Sequence, residues 1–448
     1  MIRRLLTAVA LLSFSVGASA CFDFDAAYTE YCDAGHCTAG GGTTGGGTTG
    51  GGTGGGTTGG GGGTTGGGSA TGGGGTTGGG TTGGGTTGGG TGGGASTCTE
   101  FFCPELDWKS SIASIQYYVA PGLYTTSFKQ FFVYASFEAD LPGSHNVTHW
   151  EYRFLDGGQP TTISRNSGFP DNVEARSLDG TSTTDLWYGY RISVQRRQGS
   201  ATPVYFNSCV GLDGGMTDTW PYNFDLLGPD EAWFVGWEST PGGSGPSICH
   251  WTQGGGPTPL STNDPNLWPD LRLQDVYRAP TGEVYAVGGV WNQSSGVATC
   301  AILREDGSRV SAPAIVDSWY DDGCVMVDGN LRGDVYVVAR DDSNGHGHIL
   351  QLQADGGFGD VYTAPYRLAA LDVMASGEVW AVGRTGQTLI YFDGGAWGEI
   401  PLSLTENRPD VYLENVNALP EGVIVTGFET QLDGGNTAIV NTYRRFGH

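Results

Sequence analysis

Positive charge is scarce in this sequence: 21 Lys and Arg stand against 46 Asp and Glu, a formal net charge of −25. So small a basic complement cannot neutralise phosphates, which excludes nucleic acid as a partner. Long apolar runs are scarce too. After the first 20 residues none approaches the roughly 20 that a membrane-spanning helix needs. The catalytic signatures that can be read from spacing alone are missing: there is no G-x-S-x-G elbow, H-E-x-x-H helix, P-loop or EF-hand loop. No two cysteines have the C-x2-C spacing of a zinc site, so a thiolate-held metal is not expected.

Glycine, by contrast, is abundant, with 81 residues. From Thr38 to about Ala95 the chain is almost purely Gly and Thr, with no charge and hardly a side chain to bury. Such a segment cannot offset its ordering entropy and is expected to be a disordered tether. At ~5–6 Å times the square root of its length, its reach is roughly 40 Å. Ahead of it, Arg3 and Arg4 precede an apolar stretch, Leu5 to Ala20, that ends in small residues, the pattern of a removable targeting segment. Ala18-Ser19-Ala20 followed by Cys21 resembles the lipobox of bacterial lipoproteins, with alanine at position 18 where leucine is usual. The resemblance implies that Cys21 is acylated and anchors the chain to the membrane of the bacterial cell envelope. The expected location is the outer membrane, on either its periplasmic or its exposed side.

The expected division is therefore 1–20 signal peptide, 21–37 acylated segment, 38–97 tether and 98–448 folded head. Nine cysteines are an odd number for an exported chain. With Cys21 lipidated, eight remain as near neighbours: Cys32 with Cys37, Cys98 with Cys103, Cys209 with Cys249, and Cys300 with Cys324. Four disulfides in an oxidising compartment follow.

The head is built from one recurring strand. Glu378-Val379-Trp380-Ala381-Val382-Gly383 is apolar on both sides, as a strand covered on both faces would be. Variants of it place Phe132, Trp187, Trp233, Tyr285, Tyr336, Trp380 and Ile424 at the central position, separated by 55, 46, 52, 51, 44 and 44 residues. Periods of ~40–50 residues mark four-stranded propeller blades. Each unit also has a preceding strand, such as Leu273 to Arg278. A following strand often ends in Asp-Gly, at 156–157, 306–307, 355–356 and 393–394, a pair suited to tight hairpin turns. The fold expected is an all-β, seven-bladed β-propeller of four-stranded antiparallel blades. The last unit supplies only three strands, so Ser114 to Ala120 is expected to close the ring as the outer strand of blade 7.

The segments 283–289 and 378–384 resemble bacterial propeller repeats of the V-W-A-V-G … D-G … W type and, loosely, kelch repeats. That resemblance covers residues 111 to 447 and implies a scaffold that binds; it implies no reaction.

Turns such as 280–282, 375–377 and 420–422 are short. Glu138–Thr148, Glu238–Pro246, Gly254–Pro269 and Asp341–Gly347 are expected to be long loops on the opposite face, where binding concentrates. There Trp268, Trp291, Asp317, Trp319, Tyr320, Asp321 and Asp322 combine aromatic platforms with carboxylates, a mixture that suits a sugar or a divalent cation. Asp341, Asp342, Asn344, His346 and His348 form the densest group of ligand-type residues, and the oxygen donors Asp341, Asp342 and Asn344 would favour Ca2+. His348 and His149 each lie seven residues before an Asp-Gly pair, which reads as one repeating structural position and argues against a unique metal site. Asp393 has a tryptophan four residues on, at Trp397, where a sialidase-type Asp box needs five, so this stretch reads as a hairpin turn. The function expected is non-enzymatic binding of a protein or polysaccharide. A carbohydrate-active enzyme using carboxylates on the same face, or a structural envelope protein without a ligand, are the alternatives.

Overall fold

A computed structural model describes residues 102–445, apart from 115–121, 142–143, 157, 166–174, 191–192, 200–203, 207–218, 241–242, 254–255, 261–269, 293, 318–322, 342–343, 385–387, 403–410 and 431–435. The segments expected to be a signal peptide (1–20) and a tether (38–97), together with Cys21, Cys32, Cys37, Cys98 and Cys209, lie outside the described residues, as do Trp268, Trp319, Tyr320, Asp321, Asp322 and Asp342.

Every regular element among the described residues is a β-strand. The first, β1 (Phe102–Ser114), stands apart from the blades that follow it. Blade 1 is β2 (Gly122–Ser127), β3 (Gln130–Leu141), β4 (Ser144–Leu155) and β5 (Thr161–Arg165). Blade 2 is β6 (Ala175–Ser182), β7 (Asp185–Tyr190), β8 (Ser193–Gln198) and β9 (Val204–Phe206). Blade 3 is β10 (Thr219–Gly228), β11 (Glu231–Thr240), β12 (Gly243–Thr252) and β13 (Gly256–Leu260). Blade 4 is β14 (Leu271–Arg278), β15 (Val284–Asn292), β16 (Val297–Arg304) and β17 (Val316–Asp317). Blade 5 is β18 (Cys324–Gly329), β19 (Val335–Asp341), β20 (His346–Leu352) and β21 (Phe358–Ala364). Blade 6 is β22 (Leu368–Val373), β23 (Val379–Gly383), β24 (Thr388–Phe392) and β25 (Trp397–Pro401). Blade 7 takes β26 (Val411–Leu419), β27 (Gly422–Thr430) and β28 (Asn436–Arg445), with β1 as its fourth strand.

This is the expected seven-bladed propeller of antiparallel meanders. All seven central residues fall on second strands. The innermost strands touch one another in order, and β26 touches β2, which shuts the ring.

The recurring motif is explained by what lies on each side of it. In blade 6, Trp380 and Val382 pack into the cluster shared with blade 7, whereas Val379 and Ala381 pack into the one shared with blade 5. The described core is seven such clusters, one at each junction. The glycine that closes the motif answers a bulge in the innermost strand. At Gly288 an added Cβ would lie 1.8 Å from the Arg272 carbonyl oxygen, and at Gly427 2.0 Å from that of Tyr412. The acid that opens the motif finds a basic side chain beside the central ring. Asp185 holds Arg196 in a two-pronged ion pair at 2.8 and 2.7 Å, with the guanidinium 5.0 Å from the Trp187 ring. Glu231 meets His250 at 2.8 Å, and that imidazole stacks on Trp233. Glu378 meets Arg445 from blade 7, over Trp380.

Closure is three-plus-one, but the latch lies upstream of the expected stretch. It runs over Phe102–Ser114, of which Ser114 alone was anticipated, pairing from Phe102↔Arg445 to Ser114↔Asn436. The earlier strand fits because a register shift between Pro104 and Leu106 turns its two large side chains to opposite faces. Phe102 then packs into the blade 6–7 cluster and Trp108 into the blade 7–1 cluster. Trp108 lies 4.6 Å from Tyr152 and 5.4 Å from Phe154, ring to ring. Arg444 pairs with Glu105, and Lys109 with Glu429 at 2.5 Å, both across the β1–β28 seam.

Two of the expected long loops are strand. Glu138–Thr148 and Glu238–Pro246 are mostly strand: β3 and β4, like β11 and β12, run on to hairpin ends with two residues between them. Strong β pairing extended these hairpins where polarity suggested loops. Asp341–Gly347 leaves four residues between β19 and β20, and β13 occupies part of Gly254–Pro269. The turns at Asp306-Gly307, Asp355-Gly356 and Asp393-Gly394 place their glycines at φ 78°, 84° and 92°. Gly157 of the fourth pair is outside the described residues.

Trp108→Ala removes the largest side chain from the latch and is expected to cost about 3–5 kcal/mol. Thermal denaturation of the folded head checks this; an unchanged Tm would show that β1 does not secure the ring.

Candidate functional site

Among the described residues, two places bring chemistry-bearing side chains together: the axis of the ring and the junction between blades 4 and 5.

At the axis, the residue facing each central position along the innermost strand is Tyr124, Asp179, Asp225, Tyr277, Asp328, Asp372 or Asn417. Each of these reaches toward the next blade. Asp225 accepts from the Arg278 backbone N–H at 2.8 Å, Asp328 from Val373 at 2.8 Å, and Asp372 from Ala418. Asp179 accepts from Leu226. Asn417 accepts the Thr125 hydroxyl, closing blade 7 on blade 1. Where the axial residue is tyrosine, the next blade offers glycine. A Cβ on Gly180 would lie 2.9 Å from the Tyr124 ring, and one on Gly329 2.7 Å from that of Tyr277. Blade 4 adds Asp275, which accepts from the Val327 N–H at 2.8 Å and from the Asn223 side chain at 2.7 Å.

These carboxyls are crowded by protein, and burial raises their pKa values. Asp179 is pushed up to about 7, Asp225 to about 6 and Asp275 to about 8. Asp328 and Asp372 are both raised by burial, and Asp372 lifts Asp328 further. Shifted carboxyls often mark active sites. Here each accepts a backbone N–H of the following blade, so their evident role is to join blades. The sequence reading passed over them, although a signal was present: Asp179, Asp225, Asp328 and Asp372 each precede the central aromatic by eight residues.

At the second place, register decides what meets. Tyr285, Val287 and Cys300 of blade 4 share a cluster with Val337 and Ala339 of blade 5. Alternation along β15 and β19, which pair without bulges against β16 and β20, puts Trp291 on the same face as Tyr285 and Asp341 on the same face as Ala339. Trp291 and Asp341 therefore face one junction from opposite blades. Trp291 lies in strand β15, not in a loop, and in a row with Ala298 and Asp317. Cys300 and Cys324 form the expected disulfide, with Cα atoms 4.7 Å apart, tying β16 to β18 beneath this row. Cys103 and Cys249 are also disulfide-bonded.

Asp341 and His348 flank one another on this face. His348 Nδ1 bonds Asp360 at 2.7 Å, with the Thr363 hydroxyl 3.2 Å away, and its Nε2 lies 3.9 Å from Asp341 Oδ2. Asn344 is exposed, its side chain accepting the His346 N–H at 3.1 Å. His348 is opposite Ala339, three residues past its central position, whereas His149 is opposite Ser136, four past. The two histidines thus point to opposite faces and do not share a repeat position. His149 stacks on Tyr134 and is held down to about 4 by burial. Among the described residues no three His, Cys, Asp or Glu are close enough as they stand to hold an ion.

No family model and no curated relative matches the chain. Solved structures do. A catalytically inactive virginiamycin B lyase from Staphylococcus aureus, crystallised with quinupristin, is 11% identical over 75% of this chain and 99% of that one, with a TM-score of 0.50. A streptogramin B lyase is 12% identical over 77% and 99%, with a TM-score of 0.48. The WD40 propeller domain of Doa1 is 10% identical over 75% and 96%, with a TM-score of 0.45. At such identities the likeness is one of fold.

The axial carboxyls set the pH dependence of stability. Their folded pKa values lie above that of an unfolded aspartate, so the native state binds extra protons and loses stability as pH rises through about 6 to 8. His149 works the other way, since its lowered value removes stability only as pH falls below about 6.5 toward 4. A Tm lower by roughly 5 °C at pH 8.5 than at pH 6 is expected. Asp275→Asn should flatten that slope. A Tm that rises over this interval would contradict the assignment.

Proposed function

We propose that this chain is an envelope-anchored binding propeller that takes a protein or polysaccharide partner, without chemistry, on the face carrying its inter-blade connections. The supporting observation is an asymmetry of chain length. First and second strands are joined by two to five residues in every blade. Successive blades are joined by nine residues from β5 to β6, twelve from β9 to β10, ten from β13 to β14, six from β17 to β18, three from β21 to β22 and nine from β25 to β26. Third and fourth strands are joined by three to five residues, except for the eleven between β16 and β17. A rigid ring with short turns on one side and long connections on the other presents its variable surface on the latter. The blade 4–5 junction carries Trp291, half-buried, with Asp317 in its register row and Asp341 on the facing blade. An aromatic platform beside carboxylates suits stacking on a sugar or packing against an apolar side chain.

Acylation of Cys21 and the 38–97 tether complete the reading, holding the head away from a bacterial envelope membrane. Cys21→Ser should move the protein from the membrane to the soluble fraction, and mass spectrometry of the mature N-terminal peptide should find acyl chains on Cys21. An unmodified Cys21 would remove the anchor.

Binding is checked on an array of envelope polysaccharides and by cross-linking to envelope proteins. Trp291→Ala should weaken the interaction about tenfold or more with the fold intact. New reducing ends released from a bound glycan would overturn the non-enzymatic reading, and unchanged binding would move the site elsewhere.

A further inference from the structure

The His348 imidazole is arranged in a way that hydrogen bonding within the protein does not account for. Its Nε2 is shut off from solvent and makes no hydrogen bond. The Asp341 carboxylate lies 3.9 Å from it, too far for a hydrogen bond. Two ligands of one tetrahedral ion, at ~2.0–2.1 Å each, stand roughly 3.4 Å apart, so a movement of about half an ångström brings this pair to ligand spacing. The other ring nitrogen, Nδ1, is held by Asp360 at 2.7 Å, the carboxylate support that orients metal-binding histidines and makes their free nitrogen more basic.

A second imidazole is at hand. His346 and His348 are two residues apart on β20 and so share a face. Asp341 lies directly opposite His346 in the β19–β20 register, with Cβ atoms ~4.5–5.5 Å apart in such a pair. The residue between the histidines is Gly347, where an added Cβ would lie 2.4 Å from Leu368 of blade 6. The reverse face is therefore pressed against the next blade while both imidazoles belong to the other. His346 is only half-buried and can turn its ring toward its neighbours.

We propose that His346, His348 and Asp341 form a site for a divalent transition-metal ion of the Zn2+ class, positioned by Asp360 and reached from the long-connection face. Two imidazoles and one carboxylate favour such an ion over Ca2+, which prefers an all-oxygen shell. The site does not depend on the partner reading above, because it is complete within blade 5.

The test is Zn2+ titration of the oxidised, metal-stripped full chain against a chromophoric chelator. One equivalent should bind saturably. His348→Ala and His346→Ala should each weaken binding about 100-fold, and Asp360→Asn about tenfold. Because His348 sits at a blade junction, His346→Ala is the variant expected to keep the wild-type Tm. X-ray absorption should show two imidazole nitrogens with oxygen at ~2.0–2.1 Å. No saturable binding, binding unaffected by either histidine change, or a sulfur-ligated ion would each overturn the proposal.

Discussion

A side chain on each innermost strand, reaching across to the neighbouring blade, is the constraint on which the ring depends. Seven sheets converge on one axis, and their apolar clusters can pack in more than one register. The axial row removes that freedom. Carboxylates accept N–H groups that an innermost strand would otherwise leave unpaired, and an unpaired buried N–H is costly. The same position is solved three ways: by aspartate accepting an amide, by tyrosine over glycine, and by Asn417 taking the Thr125 hydroxyl. Each solution couples two blades, so residues from adjacent repeats must suit each other. Gly180 and Gly329 are required twice over, by the Asp185 and Asp334 carbonyl oxygens of their own hairpins and by the rings of Tyr124 and Tyr277 from the preceding blade.

Burying acids this way has a consequence for the charged form. Desolvation disfavours carboxylate, and the accepted N–H groups offset only part of that. Some of the chain's acidic excess therefore sits at the axis, partly protonated, and does not add to surface charge. Around this centre the ring is fastened at two other radii. The β1 latch closes the outer edge of blade 7, and the Cys300–Cys324 bond clamps blades 4 and 5 at the junction that Trp291, Asp341 and His348 share. A junction held so firmly is a suitable base for a site.

Most of the fold could be read from residues because its rule is local. Val-Trp-Ala-Val-Gly is apolar on both faces since each blade lies between two others, and seven copies imply seven blades. Blade 7's missing strand was legible as a count; its position was not. Ser114–Ala120 has strong β character, whereas Phe102–Ser114 owes its place to a register shift and to Arg444 and Lys109 finding acids across the seam. The hairpins β3–β4 and β11–β12 were mistaken for loops because polar residues in an overhanging strand look the same as polar residues in a loop. Of the candidate site, Trp291 and Asp341 were found by residue type alone. That they face one junction follows from even and odd offsets along β15 and β19, which pattern reading can supply only once the pairing is known. His348 was set aside for the same reason: spacing to an Asp-Gly pair ignored a one-residue difference in register, and one residue reverses the face.

The axial contacts make the most direct claim, and residue-resolved hydrogen exchange of the folded head tests it. The amides of Leu226, Arg278, Val327, Val373 and Ala418 should be protected to the level of the central strands and open only with the whole ring. If they exchange as fast as the exposed turn residues Thr281 and Ser376, the blades are not joined at the axis in the way described.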